Sequence, residues 1–178
     1  MITLRRALDS DALLLARFAE QTFRATFASG TAAEDMDLYC ANAYGEALQR
    51  KEIADPGLVT SFAEIDGRLV GFSQWRRSQS IDCVTAERPS ELSRIYVARE
   101  CQGRGVAQAL MQDVISRAAE SNCDVLWLGV WEHNSKAIAF YRKFGFEVVG
   151  DHSFTVGRDV QRDLIMVRSH SIGSGSLR

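Results

Sequence analysis

The run Gln102-Gly103-Arg104-Gly105-Val106-Ala107 lies between a β-rich stretch and an amphipathic one. Its two glycines let the backbone approach a ligand with no side chain in the way. The first N–H groups of the helix that follows lack intrahelical partners and point into the same space. Together these groups would form a cradle for a phosphate or pyrophosphate. The run is no Walker loop, because Gly-Lys-Ser/Thr is absent, and no dinucleotide fingerprint, because no third glycine follows. A plain left-handed turn feeding a helix would use the same glycines, so the loop alone does not select a ligand.

The elements around the loop must position it. Ile2–Arg6 reads as a first strand. Ser10 is expected to cap a helix running to about Ala28, with Leu13, Leu14, Phe18, Thr22 and Phe23 on its apolar side. Thr31 to about Lys51 reads as one helical stretch opening on Glu34, Asp35 and Asp37, and Asp55-Pro56-Gly57 breaks it. Leu58–Ile65 and Arg68–Trp75 form a hairpin around Asp66-Gly67. Arg76–Ser90 is expected as a polar loop and Glu91–Val97 as a strand. Gly105–Glu120 carries Val106, Leu110, Val114 and Ala118 at four-residue spacing, the signature of a helix. Val125–Trp131 is an apolar strand, and Asn134 or Ser135 caps a helix through Lys143. Val148–Gly150 and Asp163–Arg168 close the series around a turn at Gly157. The order predicts an α/β fold, a mixed sheet with helices on its faces. Residues 1–168 are expected as one domain, with a disordered tail over 169–178.

Composition removes several classes. The 21 Lys+Arg against 23 Asp+Glu leave no basic excess for nucleic acid. No apolar run reaches the ~18 residues of a membrane span, and acidic residues interrupt the N-terminus where a secretion signal would be apolar. The four cysteines (40, 83, 101 and 123) show no CxxC spacing and read as reduced thiols of a cytoplasmic protein. Neither they nor the three histidines show metal-ligand spacing, so no metal is expected.

With the loop in place, the chain resembles the GNAT superfamily of N-acetyltransferases. That family's phosphate loop reads Gln/Arg-x-x-Gly-x-Gly/Ala, which Gln102 to Ala107 match with Ala last. Its second block is a strand, an Asn, and a helix with a Tyr seven residues on, as in Trp127–Asn134 followed by Ala139–Phe146 with Tyr141. Glu91–Val97 and Trp127–Asn134 look most like the bacterial polyamine (spermine/spermidine) acetyltransferase branch. The resemblance implies a mostly antiparallel sheet of about six to seven strands with about four helices. It implies acetyl-CoA as co-substrate and direct transfer to a primary amine. A small amine or polyamine is the first expectation, a protein or peptide amine the second. A non-catalytic acetyl-CoA-binding module is the reading from another class, and a homodimer is left open.

The resemblance also assigns roles. The backbone of Ile95, Tyr96 and Val97 would pair with the pantetheine arm, provided that the neighbouring strand splays away. The N–H of Val97 would polarise the thioester carbonyl. Main-chain groups of Gln102, Gly103, Arg104, Gly105, Val106 and Ala107 would hold the pyrophosphate, with Arg104 adding charge. Arg99, Lys136, Arg142 and Lys143 could meet phosphates at the nucleotide end. Asn134 would cap its helix and reach the pantetheine. Tyr141 is the candidate general acid: protonating a thiolate from Tyr is uphill by only about 2 kcal/mol at reference values. Glu91 is the candidate base, placed four residues before Ile95 as in histone acetyltransferases, with alternation setting Glu91, Ser93, Ile95 and Val97 on one face. Another family pattern puts a Glu five residues before the Asn, where this chain has Gly129, so that base is missing. Cys101 is not expected to act as a nucleophile.

Overall fold

A computed structural model describes residues 1–28, 30–77 and 81–170. The chain opens with β1 (Ile2–Arg6), then α1 (Ala12–Phe27), α2 (Ala33–Ala43) and α3 (Glu46–Ala54). The hairpin β2 (Leu58–Ile65) and β3 (Arg68–Arg77) follows, then β4 (Pro89–Val97), α4 (Val106–Glu120) and β5 (Val125–Trp131). Helix α5 (Ser135–Lys143) and the hairpin β6 (Glu147–Val156) and β7 (Asp159–Ser169) complete it. The seven strands form one sheet in the order β1-β2-β3-β4-β5-β7-β6. Every neighbouring pair is antiparallel except β4–β5, which is parallel.

Each face of the sheet has its own apolar layer. On one face, Leu92, Leu126, Leu128 and Met166 pack with Met111 and Val114 of α4 and Ile138 and Tyr141 of α5. On the other, Phe62 and Phe72 pack with Leu15, Ala19 and Phe23 of α1 and with Met36, Cys40 and Tyr44 of the α2 region. Burying one such Phe or Leu contributes roughly 1.5–3 kcal/mol, which is why these elements fix the site between them.

Several elements differ from the sequence reading, each for a local reason. Leu13 and Leu14 are exposed, and Ala12, Leu15, Ala16, Ala19, Thr22 and Phe23 form the buried stripe of α1. Asp11, not Ser10, organises the entry to α1: its carboxylate accepts from the Leu8 N–H at 2.7 Å and pairs with Arg5 at 2.7 Å. The stretch expected as one helix from Thr31 divides at Tyr44 and Gly45, both extended. The break lets Tyr44 turn inward, 6% exposed, beside Phe23 and Tyr39. The expected loop Arg76–Ser90 is shortened by strand residues at both ends, and residues 78–80 of it lie outside the described residues. The last hairpin is longer than the two short runs suggested, and Ser169 closes β7 rather than opening a tail. Positions 171–178, where the tail was expected, lie outside the described residues.

Candidate active site

The site begins where β4 and β5 part. They pair only over Pro89–Glu91 with Val125–Trp127. Beyond that, β4 continues to Val97 and β5 to Trp131 with no pairing between them. A parallel pair that opens this way leaves main-chain groups with no strand partner, and buried ones must find another. The N–H of Ala98 donates to Val70 on the β3 side at 2.9 Å. N–H direction alternates along a strand, so the N–H and C=O of Val97 point the other way, into the gap. The Val97 carbonyl there takes a long hydrogen bond of 3.5 Å from Gln102 Nε2.

The loop after β4 closes one end of the gap. Gly103 and Gly105 have φ of 78° and 85°, the left-handed region where a side chain is strained. Gly105 is the N-cap of α4, and the helical ladder starts with the Ala109 N–H on the Gly105 carbonyl at 3.0 Å. The N–H groups of Val106, Ala107 and Gln108 precede that ladder and are free to face an anion. The N–H groups of Gln102 and Arg104 bond within the turn, to Arg99 and Cys101. Across the gap, Lys136 Nζ donates to Gln102 Oε1 at 2.8 Å, adding a cation at the mouth of the cradle. These features fit a diphosphate: open amides, no Cβ in the way, and the positive end of a helix.

A cleft of about 1530 Å³ runs through the splay. Glu91, Ile95, Tyr96 and Val97 line it from β4, Gln102, Gly103 and Ala107 from the loop, and Asn134 and Tyr141 from the far side. Arg104, Gly105 and Val106 are not on its wall: Val106 is buried in the core, and Arg104 is exposed. Of the four cations expected near phosphates, Arg99, Lys136 and Lys143 reach the wall and Arg142 does not. Asn134 caps α5, its side-chain oxygen accepting from the Ala137 N–H at 3.1 Å. Cys101 is buried in the turn between β4 and α4.

Tyr141 is 8% exposed, and its ring packs edge-on to Phe140 and against Phe146. Burial pushes its phenol well above the ordinary range, so it keeps its proton at neutral pH. A thiolate leaving into the same apolar surroundings would be destabilised in the same direction, since both conjugate bases are anions.

Glu91 reaches the cleft, but not on the face that alternation predicted. A β-bulge at Ser93, where Trp75 pairs with Leu92 and Gln74 with Arg94, reverses the pattern. Leu92 and Ile95 therefore share the α4 face, while Arg94 and Tyr96 turn toward Tyr44 and Phe23 on the α1 side. Burial raises the Glu91 carboxyl, and Arg76, at 3.3 Å, opposes that shift. Arg94 lies beneath, bound to Glu52 and to the Gln74 side chain, each at 2.8 Å.

The α1 side of the cleft holds residues that sequence reasoning missed. Phe27, Tyr39, Trp131 and Phe154 line it, with Phe27 over Trp131 and Tyr39 over Phe154 at 5.8 Å between ring centres. Asp163, on β7 opposite Trp131, also lines it, and burial raises its carboxyl to about 6. The acidic run on α2 does not face a partner freely: Arg158 holds Glu34 and Asp35, and Arg24 holds Asp37. Among the described residues, no helix is long and apolar enough to cross a membrane, and no three His, Cys, Asp or Glu side chains gather as a metal site.

Comparison with known proteins agrees with this geometry. The sequence profile of the Acetyltransferase (GNAT) family matches residues 19–146. An uncharacterized N-acetyltransferase of Mycobacterium bovis is 32% identical over 159 residues, 89% of this chain and 97% of that protein. A spermine/spermidine N(1)-acetyltransferase of Bacillus subtilis is 27% identical over 100 residues, 56% of this chain and 66% of that protein. The crystal structure of PaiA N-acetyltransferase from Thermoplasma acidophilum, in complex with coenzyme A, superposes with a TM-score of 0.77. That alignment covers 96% of this chain and 99% of that one, at 21% identity, a likeness of fold. The splayed strands, the glycine loop at the start of α4 and the match over most of its length make this chain a member of the GNAT family, an acetyl-CoA-dependent acetyltransferase.

Proposed function

We propose that this enzyme acetylates a primary amine on a small cationic molecule, with both substrates bound at once and no covalent acetyl-enzyme. The observation that carries the reading is the make-up of the acceptor side. Asp163 lines the cleft together with Phe27, Tyr39, Trp131 and Phe154, Glu91 lines it from the closed end of the splay, and the two arginines on the same wall, Arg76 and Arg94, are paired with Glu91 and Glu52. Aromatic faces and carboxylates together favour an ammonium group, and each such contact strengthens where water is excluded. The kinship with a spermine/spermidine acetyltransferase supports a polyamine as the first acceptor to try.

Acetyl-CoA supplies the acetyl group as a thioester. The chain does the rest. Amides of Gly103 and of Gly105 to Ala107 hold the diphosphate, and the free edge at Ile95 and Val97 aligns the arm as an added strand. The Val97 N–H takes the developing negative charge on the carbonyl oxygen. Tyr141 gives its proton to the departing sulfur. Glu91, held by Arg76, supplies negative charge at the closed end of the splay.

The test is acetyl transfer to a panel of diamines, polyamines, amino acids and amino-terminal peptides, followed by thiol release. Turnover is expected with spermidine or a related diamine. Turnover on peptides alone would overturn the acceptor class. Tight acetyl-CoA binding with no thiol release alongside any amine would overturn the enzymatic reading of the site.

A further inference from the structure

One chemical need of this reaction is met by neither Tyr141 nor the diphosphate cradle. An ammonium with a pKa near ~10.4 must lose a proton before its nitrogen can attack, which costs about 4–5 kcal/mol at pH 7. Glu91 is partly neutralised by Arg76 and sits at the closed end of the splay, level with Trp127. Position 129, on the next strand and farther toward the open end, carries no side chain.

The space beside Gly129 is nevertheless filled. A Cβ built there would meet His152 Nε2 at 3.3 Å and Asp163 Oδ2 at 3.4 Å. His152 and Asp163 face each other directly across β6 and β7. A glycine on β5 therefore gives room to an imidazole and a carboxylate from the neighbouring hairpin. We propose, resting on the acetyltransferase reading above, that Asp163 is the catalytic residue that accepts the acceptor ammonium's proton, and that His152 is the positioning residue beside it.

The surroundings of Asp163 suit the task. Desolvation raises its carboxyl to about 6, which makes it a stronger base than an ordinary aspartate, and the charge of His152 opposes part of that rise. Tyr39 of α2 feels its charge, and Glu91 feels that of His152. The nearby charges Asp151 and Glu132 are both tied to Arg162, at 2.6 and 3.0 Å, and among the described residues no arginine pairs with Asp163. His152 is exposed, so solvent reaches this end of the pair. The protons balance. Two leave the nitrogen: one goes to Asp163 and then to solvent, and the other replaces the one that Tyr141 gives to the sulfur. The carbon–nitrogen bond forms as the carbon–sulfur bond breaks.

The experiment measures kcat/KM against pH for the wild type, Asp163→Asn, Glu91→Gln and His152→Gln, with acetyl-CoA affinity measured separately by calorimetry. In the wild type, kcat/KM should fall on acidification through about pH 6, where the Asp163 carboxylate is lost. Asp163→Asn should lower kcat by about 100-fold and abolish that limb, with acetyl-CoA affinity unchanged. Glu91→Gln should keep the limb. His152→Gln should move it to higher pH, because a cation that favoured the carboxylate is gone; a purely structural histidine would leave it in place. If Asp163→Asn keeps its kcat within threefold, or if the limb vanishes in Glu91→Gln instead, the assignment is overturned. A wild type that acetylates no amine at all would instead refute the acetyltransferase reading on which it rests.

Discussion

Replacing Tyr141 with Phe removes one oxygen and leaves the packing intact. The ring is 8% exposed and keeps its contacts with Phe140 and Phe146, at 5.6 and 5.9 Å between centres. No cavity opens in the apolar layer, so folding stability should change by less than about 1 kcal/mol. The chemistry should change far more. Without a positioned acid the sulfur must leave as an anion in apolar surroundings. A general acid typically supplies about 10²–10⁴-fold. Thiolate is a good leaving group, so the lower end applies: about 100-fold in kcat, equivalent to about 2.7 kcal/mol. Acetyl-CoA affinity should stay within about twofold, because the cradle at α4 and the open edge of β4 are untouched. Thiol release read with a thiol-reactive dye gives kcat, calorimetry gives affinity, and a thermal melt gives stability. Tyr141→Phe with unchanged kcat, or with equal losses in kcat and in affinity, would refute the assignment of the phenol as proton donor.

Other perturbations separate the parts of the site. Gly105→Ala places a Cβ at a φ of 85° with only Ile2 within 4 Å, so the cost is strain of about 1 kcal/mol rather than a clash. It should also weaken acetyl-CoA by about tenfold as the cradle is distorted, and unchanged affinity in calorimetry would count against the cradle. Asp163→Asn tests linkage. The folded carboxyl titrates at about 6, above its ordinary value, so its charge costs stability once the pH exceeds the unfolded value, and that cost is complete above about 6. The variant should therefore melt higher than the wild type at pH 7.5, by about 1 kcal/mol after allowance for partial exposure. The advantage should vanish near pH 4, and a lower melt at pH 7.5 would contradict the desolvation.

The loop and the second block were legible because their chemistry is carried by residue type at fixed spacing. Gly103 and Gly105 adopt the left-handed conformations that their identity allows, and Asn134 caps the helix it precedes. The face of Glu91 was not legible, since a bulge at Ser93 shifts the alternation and nothing in the local pattern marks it. Leu13 and Leu14 misled because three consecutive leucines fit more than one helical stripe, and packing against the sheet chose Leu15. Asp163 was hidden for a different reason. It lies 34 residues after Gly129, and only the pairing of β5, β6 and β7 brings it to that space. Its local sequence carried no signal, because Asp163 follows Gln161 and Arg162 in the polar first half of the final strand.

The most direct test is to titrate ligand-free, ¹⁵N-labelled protein with CoA and follow the backbone amides. A single saturable event should move the amides of Gly103, Gly105, Val106 and Ala107, together with those of Ile95 and Val97 along the open edge of β4. Its dissociation constant should lie below about 1 mM, some 4 kcal/mol of binding. Amides that stay put at millimolar CoA, or that move only at a distant surface, would contradict a site built on that loop and that open edge.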